Sequence, residues 1–479
     1  MNTFNDLYGF LQGRSDAEIG QIIRTLKELF VRNVGNAKEL SIIIDKYLLP
    51  QELEKKKNAE ITTPYKLRQE MLDSFPADFW TIKHTVFEPC CGKGGFLLDI
   101  IDRFMTGLSA EIVDEKERYR VVVEECLYWS DINPTNIFIC KLLIDPYKQY
   151  SLKFNEGDTI DLDIKTKWGV EEFDAVIGNP PFNEDSTILN DAHIKPVYQN
   201  WVYKLVPITR KFMFITPSKW FSSIDAQLVD LRNYIKTCRI KFIVHRAQDD
   251  VFKNVKIKGG VSYYLIDKDY DGETLFNNEV TNISNYDIIL EPRYYRLISY
   301  LTEHDFCGET LSELYTSQGK YITNKSEKEL SEDSEENVPC YVSKSKGFKK
   351  YIGKDKIKND YDCWKVITTA AAYSGTSGFS NMFIGTNEEI HSRSYISFSV
   401  KNKEEAESLY SYLKCKLPHV LLSTRKITHN MCNKDVFKWI PLIPLDRIWT
   451  NDTLYEYFHL PKDLIELVKD VQIPGSYTR

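Results

Sequence analysis

Residues 86–100 read VFEPCCGKGGFLLDI. Val86 to Glu88 form a short apolar run that ends in an acid, and a glycine-rich turn, Gly92–Gly95, follows. Glycine lets the backbone approach a ligand closely, and the first turn of the next helix offers free N–H groups. The stretch lacks the Lys-Ser or Lys-Thr pair of a Walker loop and the GxGxxG spacing of a dinucleotide site. It therefore predicts a strand, a ligand-binding turn and a helix that begins near Phe96.

The pattern around this stretch predicts the fold class. From Ile61 to Asp267, helical stretches alternate with short apolar strands. This alternation is typical of an α/β fold with a doubly wound sheet of parallel strands. The predicted strands are Thr85–Glu88, Leu127–Asp131, Asp174–Gly178, Lys211–Thr216, Ile240–His245 and Val261–Ile266.

Changes in composition divide the chain into three predicted domains. Residues 1–60 form an N-terminal helical segment, with one helix over Ile19–Phe30 and another over Ala37–Leu49. Residues 61–287 form the α/β domain. Residues 288–479 form a third domain, which begins with a helix, becomes polar and irregular, and ends in a helical tail.

Bulk properties argue against some classes of protein. The 479 residues carry a formal net charge of −7 and include ten cysteines without CxxC or zinc-site spacing. The charge argues against a protein that coats nucleic acid, and the cysteine spacing favours free thiols in a reducing compartment. No apolar run approaches the length that spans a bilayer, and the N-terminus lacks the plan of a signal peptide. We therefore expect a cytoplasmic protein with no membrane partner, or one in the cytoplasm or nucleus of a host cell if its origin is viral.

Three acids follow predicted strand ends in order. They are Glu88, Asp131 in SDINP, and Asp158 in NEGDTIDLD. Ligands of α/β sheets bind at the carboxyl ends of the strands, and these acids suit a ligand with a cationic head and an adenosine body. Glu88 would meet an ammonium group, Asp131 the ribose hydroxyls and Asp158 the adenine amine. Each acid alone is also explained as a turn or helix cap, but the ordered set favours a binding site.

The stretch FDAVIGNPPF, residues 173–182, ends another predicted strand in a stiff turn. Pro180 and Pro181 have no N–H to donate to a sheet, so the strand must end before them. The turn presents the amide of Asn179 and the ring of Phe182, for which we expect an exposed position.

Together, FEPCCGKGGF, SDINP, GDTIDL and GNPPF resemble the motif series of S-adenosylmethionine-dependent amino-methyltransferases. Their order is similar to the gamma arrangement of adenine-specific DNA methyltransferases, in which a Thr-Pro motif precedes the glycine turn. Thr63 and Pro64 match that motif, and FITPSKWFSS and VFKNVKIKGGVSYYLI resemble two later ones. The sequence departs from the pattern in a long gap before Asp131 and in Cys91 and Lys93, the latter a surface residue or a phosphate contact.

The resemblance implies a doubly wound, Rossmann-like methyltransferase sheet, followed by a target-recognition domain with a helical tail over 288–479. It implies site-specific methylation of the N6 amine of a flipped-out adenine in double-stranded DNA, with S-adenosyl-L-methionine as donor and no metal. The implied catalytic residues are Asn179, Pro180, Pro181 and Phe182, and Phe182 and Phe252 would stack on the base. The residues implied to hold the donor are Thr63, Pro64, Glu88, Pro89, Cys90, Gly92, Gly94, Phe96, Asp131, Ile132, Asp158 and Asn179.

Basic residues after Glu291 are candidates for DNA contacts. The candidates are Lys344, Lys346, Lys349, Lys350, Arg425 and Lys426. They lie in Lys344–Lys358 and Ser423–His429, and Thr368–Ser380 is a third candidate segment for base reading. A solvated loop or a surface turn explains the same residues. The target sequence and the oligomeric state stay open, and a partner restriction endonuclease is an expectation from the family.

Four alternatives to DNA methylation remain. Adenine in RNA would need the same chemistry, and so would glutamine in a protein, although those enzymes tend to be compact and to lack the Thr-Pro motif. A fused nuclease has little room in the first sixty residues. A non-catalytic binding protein with this fold is disfavoured by the intact NPPF turn.

Overall fold

The structure is a computed structural model that describes two compact units of the chain. The first unit comprises residues up to Trp220 and Asp225–Asn282, and the second comprises Phe221–Ile224 and residues from Ile283 onward. The described residues are 15, 17, 20, 36–47, 61–183, 195–246, 251–252, 257, 259–323, 325–332, 337–344, 348–358, 361–371, 378–426, 431 and 433–472. The helix predicted over Ile19–Phe30 lies outside these residues, apart from Gly20.

The first unit contains a nine-stranded sheet in the order β3-β2-β1-β4-β5-β7-β6-β8-β9. Its strands are β1 (Val86–Glu88), β2 (Leu127–Asp131), β3 (Lys153–Glu156), β4 (Phe173–Gly178), β5 (Thr209–Pro217), β6 (Ile240–Arg246), β7 (Val261–Asp267), β8 (Thr274–Phe276) and β9 (Glu279–Thr281). Its helices are α1 (Ala37–Tyr47), α2 (Tyr65–Asp73), α3 (Gly95–Gly107), α4 (Glu115–Val121), α5 (Pro134–Ile144), α6 (Ile164–Trp168), α7 (Tyr198–Leu205) and α8 (Ala226–Thr237).

The direction of the strands corrects the expectation of a parallel sheet. Strands β3, β2, β1, β4 and β5 pair in parallel, but β7 runs antiparallel to both of its neighbours, β5 and β6. The α/β class is confirmed, and the sheet is mixed and mostly parallel. An antiparallel neighbour needs no crossover helix between the two strands.

The six predicted strands are present, with ends shifted by up to two residues. The prediction missed three strands: β8 and β9, which have three residues each, and β3, whose residues KFNE are half-buried or exposed rather than an apolar run. β3 forms one edge of the sheet, so only part of its surface needs to be apolar. Strand β2 was predicted with the observed bounds, and all five of its residues are buried.

The switch in strand order lies between β1 and β4. The chain runs outward from β1 through β2 to β3 and then returns to the other side of β1 as β4. The loops that follow β1 and β4 therefore leave the same edge of the sheet in diverging directions, which opens a crevice between them.

The helix α1 packs on α3, so the described part of the N-terminal segment belongs to the first unit. Ala37, Leu40 and Ile44 lie in the same apolar cluster as the buried residues of α3. This agrees with an N-terminal segment that packs on the α/β domain. The predicted domain boundaries at 60/61 and 287/288 stay predictions.

The second unit consists of two small sheets and a group of helices. Strands β10 (Tyr315–Thr316), β16 (Tyr395–Val400), β13 (Trp364–Thr369) and β14 (Phe383–Gly385) form one sheet; β12 (Lys349–Gly353), β11 (Asn337–Tyr341) and β15 (Ile390–His391) form the other. The helices are α9 (Tyr295–Glu303), α10 (Lys403–Lys414), α11 (Lys416–Arg425), α12 (Asn451–Tyr457) and α13 (Lys462–Asp470). The helices predicted at the start of this region and in its tail are confirmed.

Candidate active site

A cavity of about 370 Å³ lies in the first unit at the carboxyl ends of β1, β2 and β4. Most of the residues that the sequence singled out line this cavity. They are Thr63, Glu88, Pro89, Cys90, Gly92, Phe96, Asp131, Ile132, Asp158, Asn179, Pro180, Pro181 and Phe182. Pro64, Gly94 and Phe252 are not among the lining residues.

The glycine turn brings the backbone of residues 92–95 to the cavity. Gly94 has a φ of 85°, in the left-handed region, and it is the residue that precedes α3. Gly95 is the first residue of α3, and a Cβ atom there would lie 2.8 Å from the guanidinium carbon of Arg68. Both positions therefore require glycine, one for backbone conformation and the other for space.

Glu88 is a buried carboxyl group that faces the cavity. It is 2% exposed, and its Oε2 atom has no hydrogen-bond partner among the described residues. Burial raises the pKa of Glu88 well above its usual range, and the nearby Cys140 thiol adds to this effect. A cationic group of a ligand would supply the partner that Oε2 lacks.

Asp131 is held by donors from the turns around it. Its Oδ2 accepts from the Gly92 N–H at 2.8 Å, and its Oδ1 accepts from the Asn133 N–H at 2.8 Å and from Asn136 Nδ2 at 3.2 Å. These contacts join the glycine turn to the end of β2. Ile132, the next residue, is 58% exposed and lines the cavity, so it offers an apolar surface to a flat ligand.

Lys93 is buried, which rules out one of the two roles suggested from the sequence, a surface residue. Its side chain is buried, and its Nζ donates to Asn136 Oδ1 at 2.6 Å. It is therefore not a surface residue, and its ammonium group helps to fix Asn136 and thereby Asp131.

Asp158 is exposed at the far side of the cavity. Its Oδ1 accepts from the Ile160 N–H at 2.8 Å, as in an Asx turn. The neighbouring Thr159 hydroxyl donates to the Pro89 carbonyl at 2.6 Å. The loop after β3 is thereby attached to the glycine turn, with the Asp158 carboxylate at the cavity.

Asn179 follows β4 directly, and its side chain has one satisfied end and one unsatisfied end. Its Nδ2 donates to the Ile61 carbonyl at 2.9 Å. Its Oδ1 is buried and has no partner among the described residues. The Cys90 thiol donates to the main-chain carbonyl of Asn179 at 3.1 Å, which ties this turn to the loop after β1.

Phe182 and Phe252 contact each other instead of presenting open faces. Phe182 is 4% exposed and Phe252 is 3% exposed, and their ring centroids lie 6.2 Å apart at an interplanar angle of 76°. The expectation that Phe182 is exposed is wrong for this structure, because the Phe252 ring covers it edge-on. Stacking of both rings on a base stays a prediction and requires the two rings to separate.

Sequence reasoning missed a buried charge cluster beside the Thr-Pro motif. Arg68 is 1% exposed, and its Nε donates to Asp99 at 2.6 Å, its Nη2 donates to Ser41 Oγ at 2.7 Å, and its Nη1 donates to the Thr63 carbonyl. The sequence did contain a signal, since Arg68 lies between Leu67 and Met71 on the buried face of α2.

Three of the predicted DNA contacts in the second unit are buried. Arg425 is 4% exposed, forms an ion pair with Asp287 at 3.0 Å, and lies 4.4 Å from the centre of the Trp439 ring. Lys426 is also buried, and burial lowers its pKa to about 8. Lys350 is 8% exposed and pairs with Glu332 at 3.1 Å. Helix and sheet packing removes these cations from the surface, which corrects their assignment to DNA.

Lys344 and Lys349 are exposed and remain candidates. Lys344 Nζ donates to Asn381 at 3.3 Å, and Lys349 lies 3.4 Å from Glu389. Lys346 lies outside the described residues, as do parts of Thr368–Ser380 and Ser423–His429.

Comparisons with known proteins place this site in a family. Residues 125–252, which include Asp131, Asp158 and the NPPF turn, match the family described as Eco57I restriction-modification methylase. The chain is also 24% identical over 296 residues to an uncharacterized adenine-specific methylase of Mycoplasma pneumoniae, and this match covers 46% of the chain and 70% of that protein. The chain is similar to adenine-specific DNA methylases, and residues 125–252 are similar to those of the Eco57I type. The family resemblance seen in the motifs is thus confirmed, and with it the enzyme class of restriction-modification methyltransferases.

Two solved structures are similar to parts of this chain. The methyltransferase subunit of a type I system from Streptococcus thermophilus is 15% identical, with a TM-score of 0.36 over 58% of this chain and 60% of that one. The DrdV–DNA complex is 12% identical, with a TM-score of 0.48 over 90% of this chain and 59% of that one. The chain therefore spans less than two thirds of the length of either structure. Among the described residues, no helix has the length and apolar character to cross a membrane.

Proposed function

We propose that the protein is a site-specific DNA methyltransferase that transfers a methyl group from S-adenosyl-L-methionine to the N6 amine of a flipped-out adenine. The observation that carries this proposal is the unpartnered, buried Oδ1 atom of Asn179 at the end of β4, beside the unpartnered carboxyl oxygen of Glu88 at the end of the adjacent β1. One is an acceptor for an amine to be methylated, and the other suits a cationic methyl donor. The two share one cavity.

The acceptor side of the cavity suits a planar amine. The lone pair of the adenine N6 atom is delocalised into the ring, which makes the amine a poor nucleophile. Two oxygen atoms that accept hydrogen bonds from both N–H groups favour a pyramidal nitrogen, whose lone pair is then available to attack the methyl group. In this proposal Asn179 Oδ1 is one acceptor and the Pro180 carbonyl is the other. The two prolines hold both oxygens in place before the substrate arrives, so the turn acts by positioning.

The donor side fits S-adenosyl-L-methionine by its chemistry. Glu88 would hold the ammonium group, Asp131 the ribose hydroxyls and Asp158 the adenine amine, while Ile132 and Phe96 provide apolar contact. Gly92 and Gly95 of the glycine turn line the cavity, and their lack of side chains lets the ligand lie close to the backbone. When bound, this donor supplies an electrophilic methyl group on a sulfonium, which needs neither a metal nor a strong base.

A duplex hides the N6 amine within the base stack, so the adenine must leave the helix. Unstacking costs a few kcal/mol, and stacking on an aromatic side chain contributes about 1–3 kcal/mol per base. Phe182 lines the cavity and contacts Phe252 edge-on. A flipped base that stacks on either ring would have to separate the two rings. In this proposal the base replaces the contact between the two rings.

Double-stranded DNA is the proposed partner, because the Mycoplasma protein is named as an adenine-specific methylase and residues 125–252 match a restriction-modification family. The second unit is the proposed target-recognition domain, with Lys344 and Lys349 as its exposed DNA contacts. A partner restriction endonuclease is a further part of the proposal.

The test is transfer of a labelled methyl group to DNA, RNA and protein fractions by the purified protein. We expect label at N6 of adenine in duplex DNA, and a loss of about 10²–10³-fold in kcat for Asn179→Ala with donor affinity retained. Equal transfer by Asn179→Ala and the unaltered protein would contradict the site. Label in RNA or on glutamine in place of DNA would replace the substrate but keep the site.

A further inference from the structure

The missed cluster around Arg68 lies next to the segment that holds the Asn179 side chain. We propose that Arg68 is a positioning residue for Asn179, acting through the Ile61–Thr63 segment. The inference rests on the proposed function, because it concerns the residue that would accept from the substrate amine. It does not require Arg68 to touch either substrate.

The orientation of the Asn179 amide decides what it can do. An asparagine side chain has a donor end and an acceptor end of almost the same shape. In the structure Nδ2 donates to the Ile61 carbonyl at 2.9 Å, which leaves Oδ1 as the atom without a partner among the residues that the structure describes. If the amide turned over, two N–H groups would face the substrate amine and repel its hydrogens. The Ile61 carbonyl therefore sets the useful orientation.

The segment that carries this carbonyl is short and has no regular structure of its own. Residues 61–64 precede α2 and are neither helix nor strand. Arg68 donates to the Thr63 carbonyl from one turn into α2. This contact holds the segment two residues after Ile61, and Thr63 itself is 5% exposed.

Arg68 is in turn fixed on two other sides. Asp99 of α3 accepts from Nε at 2.6 Å, and Ser41 of α1 accepts from Nη2 at 2.7 Å. Ser41 also donates to Asp99 at 2.6 Å, so the three side chains close a ring of contacts among three helices. The fork of a guanidinium group can serve three partners in one plane, which an ammonium group cannot do.

The glycine turn leaves space for this arrangement. A Cβ at Gly95 would lie 2.8 Å from both the Cζ and the Nη1 atoms of Arg68. The guanidinium group thus occupies the place where any larger residue at the start of α3 would project. Gly95 also lines the cavity. Arg68 therefore lies against both the glycine turn on the donor side and the segment that holds Asn179 on the acceptor side.

The experiment combines Arg68→Lys with Asn179→Ala in a double-mutant cycle. Arg68→Lys keeps the charge opposite Asp99 but cannot hold all three partners. We expect it to lower kcat about tenfold and to change the donor Kd by less than about twofold. If Arg68 acts through Asn179, Arg68→Lys has no further effect on kcat in the Asn179→Ala background. Ser41→Ala removes one of the three partners of Arg68 and should lower kcat about threefold.

Lys211→Met is the control for a general loss of stability, because it breaks a largely buried ion pair of the first unit. Lys211 lies 2.8 Å from Asp267 and is not among the cavity residues. We expect it to lower stability without changing kcat in either background. Independent effects of Arg68→Lys and Asn179→Ala on kcat would overturn the proposal and leave the proposed function standing.

A second measurement does not depend on which substrate is methylated. In protein with 15N-labelled asparagine, the Asn179 side-chain signals are assigned by their loss in Asn179→Ala. We expect one Nδ2 proton to exchange slowly with solvent in the unaltered protein and clearly faster in Arg68→Lys. Equal exchange rates in the two proteins would overturn the proposal, even if DNA is not the substrate.

Discussion

In the first unit, Glu88 and Asn179 are buried at the cavity with oxygen atoms that no described residue satisfies, whereas in the second unit Arg425 is buried with its charge fully engaged. An unsatisfied buried oxygen destabilises a fold, so it persists where a ligand supplies the partner. A paired buried cation contributes to the fold and has nothing left for a ligand. Burial alone therefore does not distinguish a binding residue from a structural one. The distinction is whether its polar atoms already have hydrogen-bond partners within the protein.

The largest expected effect concerns Arg425, the paired buried cation of the second unit. Arg425→Met would remove the ion pair with Asp287, the hydrogen bond to the Asp435 carbonyl and the contact with Trp439. Because Asp287 is largely exposed and can return to water, we expect a loss of about 3 kcal/mol in the free energy of unfolding of the second unit, at the lower end for a broken buried pair. Chemical denaturation monitored by region with hydrogen exchange measures it. A variant of unchanged stability that has lost DNA binding would restore Arg425 as a DNA contact.

The pH dependence of the second unit comes next in size. Burial lowers the pKa of His391 to about 4, while the unfolded chain binds a proton near the ordinary value of 6.5. Between about pH 6.5 and 4 the unfolded state therefore holds more protons, and the free energy of unfolding falls as the pH is lowered. His391 contributes up to about 3 kcal/mol to this fall.

His391→Gln should reduce that slope while keeping a polar side chain in the same place. The measurement is denaturant unfolding at a series of pH values from 7 down to 4, with the slopes of the variant and the unaltered protein compared. Identical slopes would show that His391 is not buried as described. His419, with a pKa also lowered to about 4 by burial, provides a second position for the same substitution.

A change at Glu88 tests whether an unsatisfied buried oxygen of the first unit binds a ligand. Glu88→Gln keeps the shape of the side chain but cannot ionise to pair with a cationic donor. We expect the Kd for S-adenosyl-L-methionine to rise about 10–100-fold, since hydrogen bonds to charged groups contribute about 1.5–3 kcal/mol. The free energy of unfolding of the ligand-free protein should stay the same or increase, because an unpaired buried acid is gone. Titration calorimetry and thermal unfolding read the two effects separately, and a destabilised variant with normal donor affinity would reverse the assignment.

The smallest effect concerns the exposed lysines. Replacement of both Lys344 and Lys349 with Gln should weaken binding to duplex DNA a few-fold and reduce the salt slope of log Kd by about 1–2. Lys350→Gln is the matched control, because Lys350 is buried and paired with Glu332 and should leave that slope unchanged. Binding titrations of both variants and the unaltered protein at several salt concentrations measure this slope.

Sequence reasoning succeeded for residues at strand ends and failed for residues whose burial or role depends on contacts with distant parts of the chain. The positions of Glu88, Asp131 and Asn179 were predictable because each lies at the end of a buried strand or directly after it, and the carboxyl ends of parallel strands converge on one edge of the sheet. Arg425 and Lys426 were misassigned because a charge in the sequence says nothing about its exposure once helix α11 packs against its neighbours. The role of Arg68 depends on contacts with Ser41 and Asp99, 27 and 31 residues away, which no local pattern contains. The covered state of Phe182 likewise depends on Phe252, seventy residues further along the chain.

The proline that follows Asn179 has a consequence for the chemical lifetime of the enzyme. Asparagine side chains degrade over time chiefly when the backbone nitrogen of the next residue attacks the side-chain amide and closes a five-membered imide, with release of ammonia. Pro180 has no N–H with which to do this. The turn that stiffens the acceptor thus also protects it from spontaneous deamidation, so the group on which the proposed chemistry depends should outlast exposed asparagines elsewhere in an ageing preparation.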